Sequence, residues 1–427
     1  MATATVVPAP NVEPLREGSI TVPSPSAAPP SPYGKSRAGE EDIVKVARSF
    51  VPRLIAAQAE SDRLARVPAD LVEEMHQAGL FSLGVPSEHG GSQANLSTWM
   101  EVISELGRGN GGVSWAATLI NTCNWVVPTL YPKSVVDEVF ATPNARVAGV
   151  FSSRQMKAHA APGGIFVEKG VWMFNSGVQL AQWDLLGVPL PNEDGEMTGR
   201  GVALLPMSDV TILDDWDTVG LRGSGSSTVS VENVFIPNER LVEMKGTLEG
   251  KYHGAFNDRP LYRSAFMPLT AIVLTFPVLG LGMHMMEEVL AKMPTRNIPY
   301  SAYSKSGEAA VTHLQMGEAF AKLEAARLMV AKCCSDIEEW AEKGESMPYL
   351  DRARARLYSG AADKTTWEAV DILASTGGGS FARRANVLNR IWEDVRVAIM
   401  HGIIAPASNF ELYGRLLNGL DANMMLV

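Results

Sequence analysis

The chain has 427 residues, of which 46% are hydrophobic and 20% are charged, and its formal net charge is −10. This length and apolar content allow a large buried core, and more than one domain is expected. The acidic balance argues against sequence-independent nucleic-acid binding, which needs a basic surface.

The three cysteines favour a reducing compartment. Cys123, Cys333 and Cys334 are odd in number and two of them are adjacent, which fits neither a disulfide framework nor a zinc site. We therefore expect a cytoplasmic protein. The seven histidines show no metal spacing, and no secretory leader is recognised. We expect no membrane contact, because a membrane span needs about 18 apolar residues in a row.

The first 38 residues have the composition of a tail. Eight prolines fall between Pro8 and Pro32, mixed with alanine and serine. Such a segment cannot bury enough apolar surface to offset the entropy lost on ordering. We predict a disordered or extended arm over residues 1–38.

The spacing of apolar residues changes twice along the remaining chain. Apolar residues recur at helical spacing over 39–145, with helices predicted around 97–108 and 112–130. Short β-branched runs separated by turn residues then predict a β-domain over 146–250. Long helical patterns return over 251–427, including 308–342, 350–376 and 390–402. The sequence thus predicts a mainly α fold with a central β-domain, an α+β arrangement: an N-terminal helical domain, a small β-barrel or sandwich, and a C-terminal four-helix bundle.

Several nucleotide and nucleophile motifs are absent. The stretch 220–226, GLRGSGS, lacks the last glycine of a dinucleotide fingerprint and precedes a strand rather than a helix. It also lacks the strand-turn-helix context of a serine nucleophile elbow. A redox enzyme with this sequence is not expected to carry its own nicotinamide site.

The element order and four local stretches resemble the acyl-CoA dehydrogenase superfamily. These stretches are PSEHGG at 86–91, GLRGSGS followed by VENVFIP at 220–237, GGG at 377–379 and RIWEDVR at 390–396. Their common order spans almost the whole chain. Many dehydrogenases of the family continue with Ile-Tyr-Glu-Gly, in which the glutamate removes the substrate α-proton. Here 399–402 reads IMHG, so His401 replaces the carboxylate.

Histidine at this position resembles the two-component flavin monooxygenases, among them the oxygenase component of 4-hydroxyphenylacetate 3-hydroxylase. The stretches FNSG at 174–177 and GRLLNG at 414–419 support that likeness. The resemblance implies reduced flavin (FMNH2 or FADH2) and O2 as reactants, which form a flavin hydroperoxide that hydroxylates an aromatic, phenolic small molecule. It also implies a separate NAD(P)H:flavin reductase and a homotetramer.

The resemblance also implies roles for individual residues. His401 is the expected acid/base group, since an unperturbed imidazole titrates near ~6.5. Ser176 is expected to hold the proton at flavin N5. Further contacts to the cofactor are expected from Ser152, Ser153, Phe174, Asn175, Gly177, Arg263, Gly377 and Gly378, and a substrate pocket from Trp115 and Cys123. Cys123 stands where hydroxyphenylacetate enzymes have a pocket histidine, so the identity of the substrate stays open.

Each residue also has a plainer interpretation. His401 fits a helix histidine with local hydrogen bonds, Ser176 a turn, and Arg263 a surface ion pair. Ser152 and Ser153 fit loop hydroxyls, and Trp115 and Cys123 fit core packing. Three other functions are open: N- or S-oxygenation by the same chemistry, a true acyl-CoA dehydrogenase, and a non-enzymatic helical scaffold.

Overall fold

The computed structural model describes residues 40–192 and 194–424. The predicted tail over residues 1–38 lies outside the described residues. Within them the chain runs from helices to strands and back to helices, which confirms the mainly α fold with a central β-domain.

The first helical part contains five helices in its described residues: α1 (Glu40–Leu64), α2 (Ala69–Gln77), α3 (Leu96–Gly109), α4 (Gly111–Leu130) and α5 (Lys133–Ala141). Side-chain caps explain where the two central helices begin. Asn95 accepts a hydrogen bond from the Thr98 amide at 2.8 Å, and Asn110 accepts one from the Val113 amide at 3.2 Å. The predictions at 97–108 and 112–130 are confirmed.

Helix α4 is buried on all sides. All but one of its twenty residues are buried, so it packs against neighbours on every side instead of along one stripe. Its start contacts the segment that leads into a β-domain strand: a Cβ on Gly112 would come within 2.8 Å of the Gly223 backbone. Only glycine allows two main chains to approach this closely.

The β-domain consists of two four-stranded sheets, with strands β1 (Val147–Val150), β2 (Gln155–Ala161), β3 (Gly164–Asn175), β4 (Trp183–Leu190), β5 (Gly199–Pro206), β6 (Thr211–Ile212), β7 (Ser227–Pro237) and β8 (Leu241–Glu243). One sheet has the order β1-β4-β5-β8 and the other β2-β3-β7-β6. Strands β1 and β4 pair in parallel, and the other strand pairs among the described residues are antiparallel. The sequence has two separate β-branched runs at 165–167 and 171–174, which predict two strands, but in the structure both belong to one strand, β3.

The second helical part contains α6 (Met244–Leu248), α7 (Phe266–Ile272), α8 (Phe276–Lys292), α9 (Ala310–Lys343), α10 (Tyr349–Ser375), α11 (Val387–Ala398) and α12 (Pro406–Leu417). Helices α8, α9, α10 and α11 form the predicted bundle. The predicted helix over 390–402 ends earlier, at Ala398, and a turn follows it. His401 is therefore a turn residue and not a helix residue.

The expectation that no stretch of the chain is long and apolar enough to span a membrane needs a correction. The segment Phe266–Lys292 is long and apolar enough, by composition alone, to span a bilayer, and 94% of its most apolar stretch is buried inside the protein. Helix α8 packs against α3, α10 and α11, which supply its apolar surroundings. Such burial is typical of a central core helix.

Candidate active site

Three predicted residues from three parts of the chain meet beside the start of α4. The indole nitrogen Nε1 of Trp115 donates a hydrogen bond to the Ser176 hydroxyl at 3.1 Å. The imidazole of His401 packs edge-on against the same indole, with ring centroids 5.8 Å apart. Trp115 thus contacts the end of strand β3 through Ser176 and the turn after α11 through His401. The two predicted catalytic residues therefore belong to one cluster.

The Ser176 hydroxyl belongs to a chain of serine hydroxyls. Its Oγ lies 2.7 Å from Oγ of Ser226, which lies 2.7 Å from Oγ of Ser224. A hydroxyl has one hydrogen and two lone pairs. When Ser176 donates to Ser226 and accepts from Trp115, one lone pair remains for a further N–H donor. In that arrangement Ser176 can accept one further hydrogen bond from a bound group.

The His401 side chain has a defined partner on one nitrogen only. The Ile403 amide donates to Nδ1 at 3.3 Å, and Nε2 has no hydrogen-bond partner among the described residues. Burial, and secondarily the positive charge of Arg356, lower the pKa of His401 to about 4. An unperturbed imidazole titrates at about 6.5, but desolvation penalises the charged ring, so His401 is neutral at neutral pH.

The end of strand β3 has an unusual backbone beside Ser176. Phe174 has a φ of +66° and its ring is 64% exposed, against the edge of Trp216 at 6.1 Å. A positive φ is rare for an aromatic residue and marks a site where local strain is tolerated. Gly177 also has a positive φ, +73°, and its amide donates to the Ser224 carbonyl at 2.9 Å. This turn points the Ser176 hydroxyl toward Trp115.

Asn175 has its side chain turned into the β-domain. Its Nδ2 donates to both carboxylate oxygens of Asp184, at 2.9 and 2.7 Å. Both residues are fully buried, and burial raises the pKa of Asp184 to about 7. In this arrangement the Asn175 side chain secures the strand end, and a contact to a cofactor would use its backbone.

The other predicted hydroxyls lie where strand β1 ends. Phe151, Ser152 and Ser153 are exposed, and the next amide, of Arg154, donates to the Val171 carbonyl of strand β3 at 2.8 Å. The segment that follows β1 is therefore joined to strand β3 near its end. Exposed hydroxyls, the exposed Phe174 ring and the Ser176 cluster occupy this edge of the β-domain.

Two predicted residues lie away from this cluster. Cys123 is 2% exposed, about two turns along α4 from Trp115, and packs against Gly149 in strand β1. Arg263 donates to the carbonyl oxygens of Ala341 and Asp258, at 3.1 and 3.0 Å, and lines a cavity of about 160 Å³. Phe266, one turn later, lines the same cavity and packs against Phe151.

Gly377 and Gly378 lie at the far end of α11. A Cβ on Gly377 would come 3.5 Å from the Leu388 side chain, whereas His401 follows the other end of the helix. A helix of this length spans roughly 18 Å. Arg296 donates to the Gly377 carbonyl. Within one chain these glycines are not brought to the Ser176 cluster, and their role at a cofactor stays a prediction.

Sequence reasoning missed three polar residues of this region: Ser224, Ser226 and Arg356. The two serines belong to the GLRGSGS stretch, which resembles a family motif, so their proximity to Ser176 had a signal. Arg356 stands in an ordinary helical pattern and had none.

The residues of this edge fit a flavin. An isoalloxazine ring needs an exposed aromatic or apolar surface and polar groups at its edge, and Phe174, Ser152, Ser153 and Ser176 offer both. The lone pair left on Ser176 suits the N–H that a reduced flavin carries at N5. Among the described residues no group of three metal-ligating side chains was found.

Comparison with known proteins agrees with this geometry. Residues 38–130 match the family model "Acyl-CoA dehydrogenase, N-terminal domain", and residues 272–406 match "Acyl-CoA dehydrogenase, C-terminal domain". The two matches together span more than half of the chain.

Individual relatives are flavin-dependent oxygenases. The chain is 25% identical to the oxygenase subunit HsaA of a flavin-dependent monooxygenase from Rhodococcus jostii, over 86% of this chain and 95% of that protein. It is 25% identical to the oxygenase component of p-hydroxyphenylacetate 3-hydroxylase from Acinetobacter baumannii, over 87% and 88%. The structure of XiaF from Streptomyces, in complex with FADH2 and glycerol, superposes with a TM-score of 0.84 at 28% identity, over 91% and 98%. The chain therefore belongs to the acyl-CoA dehydrogenase-fold family, and within it to the flavin-dependent monooxygenases.

Proposed function

We propose that this protein is the oxygenase component of a two-component flavin-dependent monooxygenase that hydroxylates an aromatic, phenolic small molecule. The observation that carries the proposal is the joining of Ser176 and His401 through Trp115, at the exposed edge where strands β1 and β3 end. Relatives named as hydroxylases of p-hydroxyphenylacetate and resorcinol support an aromatic substrate.

Reduced flavin, when bound, supplies the two electrons that let O2 deliver one oxygen atom to the substrate and the other to water. The protein's own part is to hold protons and exclude solvent. Ser176 accepts a hydrogen bond at Oγ, while Trp115 and Ser226 fix the orientation of that oxygen. Neutral His401 hydrogen-bonds the substrate hydroxyl through Nε2, the nitrogen without a protein partner.

Among the residues that the structure describes, no acidic side chain shifts the pKa of His401. In a true acyl-CoA dehydrogenase, by contrast, a glutamate abstracts the α-proton. We infer that the reduced flavin comes from a separate NAD(P)H:flavin reductase, since the names of the relatives include "oxygenase subunit" and "oxygenase component".

Product analysis tests the proposal directly. The full-length protein is mixed with chemically reduced FMN or FAD, 18O2 and a panel of phenols, indoles, thiophenes and amines. We expect one 18O atom in the product of a phenol. Oxygenation of a sulfur or nitrogen centre would move the assignment to the N- or S-oxygenation alternative. Anaerobic bleaching of bound oxidised FAD by an acyl-CoA would overturn the proposal in favour of a dehydrogenase.

We also propose that the chain forms a homotetramer through its C-terminal helices. Helix α9 carries large apolar side chains exposed in the single chain, among them Leu314 at 75% and Val311 at 53%. Burial of such side chains between subunits is favourable at about 25 cal/mol per Å². Light scattering of the purified protein is expected to give four times the mass of one chain, and a monomer would contradict the assembly.

A further inference from the structure

Strand β3 departs from regular pairing just before Ser176. Its register with β7 shifts between Trp172 and Asn175, and we call the two residues between them, Met173 and Phe174, the β3 bulge. Phe174 has a φ of +66°, a conformation that an aromatic residue keeps only where the surrounding structure holds it. Other contacts must therefore stabilise the β3 bulge, which presents the exposed Phe174 ring.

Two buried side chains tie the β3 bulge to strand β4, which belongs to the other sheet. Before the bulge, Nε1 of Trp172 donates to the Gly187 carbonyl at 2.8 Å. After it, Nδ2 of Asn175 donates to both carboxylate oxygens of Asp184, at 2.9 and 2.7 Å. Trp172 is 1% exposed, and Asn175 and Asp184 are fully buried. One strand thus fixes the β3 bulge at both ends, and the anchor beside Ser176 is a carboxylate.

A carboxylate suits the contact with Asn175 because an amide nitrogen carries two hydrogens and no lone pair that accepts. Asp184 presents two acceptor oxygens to that nitrogen, and the Leu185 amide also donates to the carboxylate. Oδ1 of Asn175 has no hydrogen-bond partner among the described residues, so Nδ2 makes the side-chain contact. The backbone of Asn175 pairs with Ser227 of β7, which is the second hold on this strand end.

The anchor determines where the neighbouring functional groups lie. Ser176 follows Asn175 directly, and its hydroxyl accepts from Nε1 of Trp115 at 3.1 Å. A hydrogen bond of this length is lost when its atoms move about 0.5 Å further apart. Phe174 precedes Asn175, so a rotation of the Asn175 backbone would displace the aromatic ring and the serine hydroxyl together. Asp184 itself is buried behind them.

We propose that Asp184 is a positioning residue, which through Asn175 holds the Phe174 ring and the Ser176 hydroxyl where a bound flavin meets them. Its effect on turnover rests on the proposed function, whereas its effect on the strand end rests on the contacts alone. Because Asp184 is fully buried, it touches neither flavin nor substrate. Loss of the anchor disturbs the orientation of one oxygen and leaves the other contacts of the site in place.

Hydrogen–deuterium exchange of the full-length protein, without flavin or substrate, tests the anchor. Asp184→Asn keeps the shape of the side chain but sets an NH2 group against that of Asn175. We expect backbone amides over 174–178 to exchange roughly tenfold faster than in wild type, the factor that corresponds to one buried hydrogen bond. Peptides from β5 and β8 should exchange as in wild type. Asp209→Asn, an exposed aspartate of the same domain, is the matched control.

Turnover with reduced flavin, O2 and a substrate separates positioning from a general structural role. In Asp184→Asn we expect kcat for product to fall roughly tenfold, hydrogen peroxide to rise in its place, and KM for reduced flavin to stay unchanged. A loss of folded protein would instead lower oxygen consumption and product equally.

The double variant Asn175→Asp/Asp184→Asn reverses the donor and the acceptor of the contact. It is expected to restore slow exchange over 174–178 and most of the product yield, whereas Asn175→Asp alone places two carboxylates together and is expected to do worse than Asp184→Asn. If Asp184→Asn does not fold, Asn175→Ala removes the same contact from the other side and must show the same fast exchange and peroxide release.

Wild-type exchange over 174–178 in Asp184→Asn would overturn the anchor. Fast exchange together with wild-type product yield would overturn its role in the reaction, and a folded double variant without recovery would show that the contact is not the cause. Failure of wild type itself to oxygenate any compound of the panel would count against the proposed function, while the exchange result would still decide the anchor.

Discussion

At the scale of single residues, the sequence located His401 but not its chemical state. The family motif places an imidazole where a carboxylate is common, and this replacement can be recognised in the sequence alone. The pKa depends on how much water the ring retains and on which charges lie nearby, and Arg356 is 45 residues away in sequence. Desolvation and a distant charge are properties of the folded chain, so no local pattern could predict them.

The neutral ring has a consequence for acid stability. The pKa of His401 is lower in the folded chain, at about 4, than its ordinary 6.5. A group with a lowered folded pKa contributes stability above its unfolded pKa, and that stability is lost as pH falls from 6.5 toward 4. His401→Gln is expected to lose less thermal stability between pH 6.5 and 4.5 than wild type. The exposed His253→Gln is the control, and parallel melting curves for His401→Gln and wild type would contradict the prediction.

The serine chain makes a second prediction at this scale. Ser176→Ala removes the oxygen that Trp115 and Ser226 orient, so a bound reduced flavin loses its acceptor. We expect turnover to fall by roughly ten- to hundredfold, as for other oriented hydrogen-bonding groups, with hydrogen peroxide released in place of product. Ser226→Ala should have a smaller effect of the same kind.

Hydrogen peroxide and product are measured in the same reaction for wild type and each serine variant. Ser208→Ala, an exposed serine in the same domain, is the matched control. Full coupling of oxygen use to product in Ser176→Ala would remove this serine from the proposed chemistry.

At the scale of elements, the contact between α4 and the segment 222–226 sets the position of the serine chain. A Cβ on Gly112 would lie 2.8 Å from the backbone of Gly223, closer than real Cβ contacts allow. Gly112→Ala is therefore expected to push this segment away, lower the melting temperature and reduce turnover.

Gly414 provides the comparison, since it also lies in a helix, α12, and has open space around its missing Cβ. Gly414→Ala should raise stability by up to about 1 kcal/mol through helix propensity alone. Opposite changes in melting temperature for the two variants would show that the close approach of the Gly112 and Gly223 backbones limits the side chain at position 112. Stabilisation by Gly112→Ala would contradict it.

Most elements could be predicted from sequence because their periodicity is strong. The limits of α3, α4, α9 and α10 agree with expectation to within about two residues. The end of α11 could not, because the residues after Ala398 remain apolar and no glycine or proline stops the pattern before Gly402. The continuity of β3 could not be predicted either, because glycine at position 170 interrupts the β-branched residues. In the fold the strand continues there, paired with β7.

At the scale of the whole molecule, one carboxyl group lies where the three parts of the chain meet. Asp394, on α11, accepts a hydrogen bond at 2.6 Å from the Leu221 amide, and a Cβ on Gly111 at the start of α4 would lie 2.8 Å from its Oδ2. Burial raises the pKa of Asp394 to about 7. The C-terminal bundle, the β-domain and the N-terminal helices thus share one titratable junction.

The junction predicts a loss of stability as the pH rises from acid to neutral. Since the folded pKa of Asp394 is raised, its contribution is complete below the unfolded pKa near 3.8 and is lost as pH rises through about 7. Asp394→Asn keeps an acceptor for Leu221 and cannot ionise, so its melting temperature should fall less than that of wild type between about pH 4.5 and about pH 7.5. Asp371→Asn, on α10, is the control. An equal fall in Asp394→Asn and wild type would show that another group controls stability in this range.

The buried apolar segment Phe266–Lys292 has a consequence for synthesis of the protein on the ribosome. Its covering helices α10 and α11 begin at Tyr349 and Val387, so they are translated well after it. For that interval the nascent chain presents a stretch apolar enough to be captured by a chaperone or a membrane-targeting factor. Ribosome-bound chains halted near residue 340 should therefore recruit such factors, and chains halted near the terminus should release them.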